Sequence, residues 1–213
     1  SPQVTDGDAK YIDGAKPGMI YNTVTSECFD GKKGIKVIPC YYKKDFPEWS
    51  DRGDGPGAPV AVHLPNSPVI QTGKRDGSKI RLPNGNYLEE TASYYVLVET
   101  KAGGMTPALI SMKSTQLNVS KKWNSMMKTI QIPDGKGGMA IPPMHGVVYN
   151  LQSVLQKNDK GSWYGWSVTQ DRIMGQEDKS LYLTAKDFNT SVAKGNVQTK
   201  ADVEEKAKDN TPY

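Results

Sequence analysis

The chain reads as a mainly β domain of the α+β class, and three features of its sequence say so. Gly and Pro account for 21 and 14 of the 213 residues, enough punctuation for many turns and long loops. Short runs rich in β-branched and aromatic residues lie between those turns, as in Ile35–Tyr42 and Tyr94–Val98. Helical signals are confined to two stretches, one after Lys113 and one near the C-terminus.

Residues 1–17 are polar and turn-rich and form an N-terminal arm. Met19–Thr25 is β-branched and partly alternating, so it is read as a strand. Asp30–Gly34 is turn chemistry, and Ile35–Tyr42 returns as a second strand in which Pro39 demands an edge, a bulge or an early stop. Asp45–Pro59 has no periodicity and is expected as a loop. Val60–His63 is a short strand, and Pro65–Pro83 is again loop-like. The turn Asn84–Asn86 leads into one long strand, Tyr87–Thr100, with a buried centre. Ala102–Gly104 turns the chain into the strand Ala108–Lys113. Ser114 is then the expected N-cap of a helix whose stripe is Val119, Trp123, Met126, Met127 and Ile130. After the loop Pro133–Pro143, Val147–Gln156 and Trp163–Thr169 form a hairpin about Asn158–Gly161. A short helix over Ala185–Lys194, with Thr184 as N-cap and Gly195 past its end, closes the order.

Three strands, a helix and two strands is the element order of a small Greek-key barrel of the OB type. The sequence therefore predicts a single OB-like Greek-key β-barrel over 18–195 with long loop insertions, one helix between strands and a short C-terminal helix. Residues 196–213 form a polar tail.

Charge is concentrated. Six Lys and one Asp fall between Lys101 and Lys136, a net of +5, whereas the whole chain carries +4. A patch this localised points to an anionic partner, a polyanion first. Enzymatic chemistry finds no support. His63 and His145 have no convincing acidic partner in sequence, Glu89 and Glu90 on one strand point to opposite faces, and Gly135–Gly138 lacks a phosphate-loop signature. No cofactor is expected, and two Cys with two His at unrelated spacings argue against zinc. Cys28 and Cys40 either pair or leave Cys40 as a buried free thiol in its apolar run. No apolar run is long enough to span a membrane, so no membrane partner is expected.

Single-stranded nucleic acid is held by a basic groove with aromatics on which bases stack. The sequence sets cations beside aromatics at Tyr42, Lys43 and Lys44, at Trp49 and Arg52, at Lys121 and Lys122 beside Trp123, and at Lys160 with Trp163. Lys113 ends the strand that precedes the helix. Trp123 lies on the apolar stripe and is expected in the core, whereas Tyr42 and Trp49, at a strand end and in a Gly/Pro loop, are expected to be exposed. Helix-turn-helix, zinc-finger and basic-zipper patterns are missing, which disfavours sequence-specific duplex binding.

The segments KPGMIYNT, GIKVIPCYY, FPEWSDRG, LPNGN, MKSTQLNVSKKWNSM and NDKGSWYGW, spread from Lys16 to Trp166, resemble a family of tailed-phage proteins. At fold level that family is similar to phage single-stranded DNA-binding proteins with an OB core. The resemblance implies replication or recombination in the cytoplasm of an infected host cell, with single-stranded DNA and replication or recombination proteins as partners. It also implies Tyr42, Trp49, Arg52, Lys113, Lys121, Lys122 and Trp163 as DNA contacts. Phage proteins of that class commonly end in a strongly acidic tail. Here the last thirteen residues hold four acids and two Lys, a net of −2, which departs from that pattern. Two rival readings are a virion structural or assembly protein, and a host-directed regulator that binds a polymerase or nuclease.

Overall fold

The computed structural model describes residues 14–51, 58–159 and 161–197. Two short strands, β1 (Ile20–Tyr21) and β2 (Cys28–Phe29), pair antiparallel ahead of the long strand β3 (Ile35–Trp49). An insertion follows: β4 (Ala61–His63), the single-turn helix α1 (Val69–Thr72), β5 (Lys74–Asp76), β6 (Lys79–Arg81) and β7 (Tyr87–Glu89). Next come β8 (Thr91–Glu99), β9 (Met105–Lys113) and the helix α2 (Leu117–Thr129). The small pair β10 (Ile132–Pro133) and β11 (Met139–Ala140) leads to the hairpin β12 (Val147–Asn158) and β13 (Gly161–Ile173), and α3 (Lys179–Ala193) is the last helix described.

β3 organises the molecule. Its first part is the centre of a five-stranded antiparallel array in the order β13-β12-β3-β8-β9, so the fourth long strand, β12, lies beside the first. Its last residues, Phe46–Trp49, pair with β4 and β7 and carry the sheet on into β6 and β5. Pro39 is tolerated in so central a strand because the ladder to β8 shifts register between Pro39 and Tyr41, leaving Cys40 as the extra residue of a bulge. The side-chain amide of Asn189 on α3 donates to the Cys40 carbonyl, so the bulge leaves that acceptor satisfied.

Each face of the array is covered by a helix. α2 packs over Val37, Tyr94, Val96, Ile110, Met112, Tyr149 and Leu151. Trp123 is fully buried there, stacked on Tyr94 at 4.3 Å and edge-on to Tyr149 at 5.6 Å. The Tyr94 hydroxyl bonds Ser120 of the helix at 2.7 Å. α3 covers Ile38, Cys40, Leu97 and Val148 on the opposite face, with Ala185 buried against them. The alternation read from Val147 to Leu151 holds, since Val147, Tyr149 and Leu151 face α2 and Val148 faces α3.

The structure corrects the sequence reading at several places. Both margins of the array, β9 and β13, touch α2, but no ladder joins them among the described residues, so the sheet is not closed into a barrel. The segment expected as a loop from Asp45 stays extended to Trp49, because Phe46 enters a second small core with Ile80, Leu82 and Leu88. Those residues belong to a β5–β6–β7 meander where a mostly loop-like stretch was expected. The long strand from Tyr87 breaks at Glu90. Ser114 caps no helix: it has φ +49° and opens a 3₁₀ turn, Ser114–Gln116, ahead of α2. α3 starts at Lys179, before the expected cap Thr184, whose hydroxyl instead bonds back to the Ser180 carbonyl within the helix. Gly195, with φ +73°, stands past its end as expected.

Candidate nucleic-acid interface

The bulge in β3 decides which aromatics can meet a ligand. Simple alternation would leave Tyr42 on the same face as Ile38 and Cys40. The extra residue moves it to the α2 face, where its ring lies 5.0 Å from Tyr94 at the edge of the main core. Tyr41 takes the other face and meets Tyr95 edge-on at 6.0 Å. Tyr42 is therefore half-buried, and the exposure expected of it is not found. Trp49 is half-buried as well, because the strand runs on to include it.

Lys113 lies over Trp49, its ammonium 5.2 Å from the ring centroid, and is ion-paired with Glu89 at 2.8 Å. Cation and indole come from positions far apart in sequence. β9 ends at Lys113, and its ladder pairs Lys113 with Thr91, next to the junction that holds Glu89 and Glu90. The two acids do point to opposite faces, and Glu90 takes Lys44 at 2.7 Å. Lys43 is paired with Asp45 at 3.1 Å. All three strand lysines are thus held by carboxylates.

Two residues beyond Lys113, Thr115 forms one wall of a shallow cleft of about 350 Å³ with Asn158, Gly161, Ser162 and Trp163 at the tip of the β12–β13 hairpin. Trp166 and Val168 of β13 turn toward the main core, which puts Trp163 on the other face, half-buried. The indole N–H groups of Trp49 and Trp163 are both buried without a hydrogen-bond partner among the described residues. The core groups Trp123 Nε1 and Tyr149 Oη share that state, so the unpaired donors do not by themselves mark a ligand site. The segment between the two indoles holds the left-handed Ser114, a conformation that costs a non-glycine residue roughly 1–2 kcal/mol.

Lys121 and Lys122 are exposed on α2 and make no salt bridge among the described residues. Arg52 and Lys160 lie outside the described residues. Among the expected contacts the structure thus joins Trp49 to Lys113, sets Trp163 near Thr115, leaves Lys121 and Lys122 free on the helix, and turns Tyr42 toward the core. Thr115 and Glu89 are the residues the sequence reading did not place at the site. The spacing of strand ends carries no local signal of which lysine an acid will meet.

The histidines have structural surroundings. His63 Nε2 lies 2.7 Å from Glu48, which also accepts from Asn86 at 2.6 Å and Asn84 at 3.1 Å. Burial pushes the Glu48 carboxyl up, but the bonds from Asn86, His63 and Asn84 together outweigh it and hold its pKa below the ordinary value. The network fastens β4 and the Asn84–Asn86 turn onto β3. His145 is buried beside Tyr182, and burial and then Lys186 hold its pKa below the usual 6.5. Cys28 and Cys40 are unpaired, and burial pushes the Cys40 thiol up to about 12, leaving it unreactive. No helix among the described residues is long and apolar enough to cross a membrane.

Fold and surface define a mainly β protein with an open antiparallel sheet, a helix on each face, a lysine–indole pair at Lys113 and Trp49, and a second indole in the cleft at the tip of the β12–β13 hairpin. The chain belongs to the Pam3 phage gp34-like protein family, whose model matches residues 1–198. That places it among bacteriophage proteins. No curated protein and no solved structure gave a significant match.

Proposed function

We propose that the protein binds single-stranded DNA without strong sequence preference, in phage replication or recombination. The strand order supports this reading: β12-β3-β8-β9 is the 4-1-2-3 order of a Greek key, with α2 between the third and fourth strands and β13 as a fifth. That is the order of an OB-type barrel with its last pairing left open, and the OB fold is itself partly open and binds oligonucleotides on its second and third strands and adjoining loops. β8 and β9 are those strands here. The observation that carries the proposal is Lys113 over Trp49, with the Thr115–Trp163 cleft two residues further on. Bases stack on the indoles, while Lys113, Lys121 and Lys122 meet phosphates. Phage family membership is consistent with the setting but does not specify the role.

The test is titration of the intact protein with an oligo-dT at two salt concentrations, followed by tryptophan fluorescence. Binding should quench the fluorescence and weaken with salt, with a slope of roughly −0.7 per phosphate neutralised. Absence of binding at low salt refutes the proposal. A second reading, assembly within the virion, draws on the apolar end of the β12–β13 hairpin, where Leu155 is 63% exposed and Tyr164 37%. Co-purification with particles and indifference to oligonucleotide favour that reading.

A further inference from the structure

We infer that Glu89 makes this surface prefer single strands to duplex, an inference that rests on the single-strand reading above. Lys113 is the cation that sits on an indole, and Glu89 is its counter-ion at 2.8 Å. The carboxylate is the more deeply set of the two, its side chain 20% exposed against 38% for the lysine. An incoming phosphate meets the ammonium from the solvent side with a carboxylate close behind it, so the pair presents no net charge. The position is fixed by the fold: Glu89 ends β7, where it pairs with Lys79 of β6, and the β8–β9 ladder brings Lys113 alongside. The neighbouring acid cannot substitute, because Glu90 points to the other face and is taken by Lys44.

A flexible strand can lay a base against Trp49 and turn its phosphate to the exposed side of Lys113. A duplex cannot. Its phosphates are fixed at about one charge per 1.7 Å of axis, and its bases are stacked on one another, so no indole contact offsets the approach to a carboxylate. Juxtaposed like charge is an ordinary means of rejecting a wrong partner.

The experiment measures affinity of the intact protein for a labelled oligo-dT and for a duplex of equal length, by fluorescence anisotropy at low salt. Glu89→Gln should tighten duplex binding about tenfold and single-strand binding about threefold or less. Glu99→Gln, an exposed acid at the far end of β8, should change neither. Glu89→Asp, which keeps the charge, should retain the wild-type ratio. If Glu89→Gln melts early by circular dichroism, Glu89→Ala, which removes the charge without leaving an amide against Lys113, decides the matter and should narrow the ratio as Glu89→Gln does. A ratio unchanged in Glu89→Gln and Glu89→Ala overturns the inference while the single-strand reading stands. If the wild-type protein binds no oligo-dT, both fall.

Discussion

The motif Lys-Lys-Trp on α2 and the pair Lys113 and Trp49 at the sheet end look alike in composition and are opposite in structure. On the helix, residues adjacent in sequence point about 100° apart, so Lys121 and Lys122 go to solvent as free charges while Trp123 goes to the centre of the core. At the sheet end, residues far apart in sequence are brought into contact, and the lysine comes with a carboxylate partner. Proximity in sequence thus separates charge from aromatic surface on a helix, and strand pairing is what joins them. One region offers charge without stacking surface; the other offers stacking surface with its charge largely cancelled.

Substitutions can break this contrast. The largest effect should come from Trp123→Ala, which empties the stack between Tyr94 and Tyr149 and should cost about 3–5 kcal/mol in chemical denaturation. Trp49→Ala and Trp163→Ala should instead each weaken oligo-dT binding by about 1–3 kcal/mol, the usual loss of a base–aromatic stack, with a smaller change in stability. If Trp123→Ala folds and loses binding in the same proportion as these two, the division between core and interface indoles fails.

The lysines sharpen the contrast further. Lys121→Gln with Lys122→Gln removes two free charges and should reduce the slope of log affinity against log salt by about 1.4, or 0.7 per charge. Lys113→Gln should change that slope less, since Glu89 already compensates the charge. A change of about 0.7 for Lys113→Gln, the same per charge as on the helix, would show that the ion pair does not hold in solution.

The smallest expected effect lies away from both regions, under α3. The ordinary pKa of His145 is 6.5, and burial, followed by Lys186, holds it lower in the folded protein. As pH falls below 6.5 the unfolded chain takes up the proton first, so stability declines across that window and levels off below the folded pKa. The melting temperature should therefore drop as the pH is lowered through 6.5, and the drop should be smaller in His145→Gln. A drop of the same size in the variant would assign the acid sensitivity to other groups.

Much of the fold was legible because it is local. The period of three and four from Val119 to Ile130 and the alternation from Val147 onward each depend on neighbours in the chain, and both hold. What escaped is non-local. The bulge at Cys40 reverses the faces of Tyr41 and Tyr42, and only pairing with β8 reveals it. Strand extension through Phe46, Pro47 and Trp49 contradicts local Pro and Gly signals because the meander of β5, β6 and β7 supplies a second core. At the interface, the positive charge on α2 could be read directly, since exposed helix residues keep their charge. The pairing of Lys44 and Lys113 with acids could not, because Glu90 and Glu89 reach those lysines only through strand pairing, whereas the partner of Lys43, Asp45, lies two residues on in the same strand.

Photo-cross-linking of the intact protein to an oligonucleotide carrying 5-iododeoxyuridine, with the attached peptides identified by mass spectrometry, tests the central claim most directly. Stacking at the sheet end predicts cross-links on Trp49 and Trp163, and none on Trp123. Cross-links confined to other surfaces, or none at a salt concentration at which the protein binds the oligonucleotide, would contradict it.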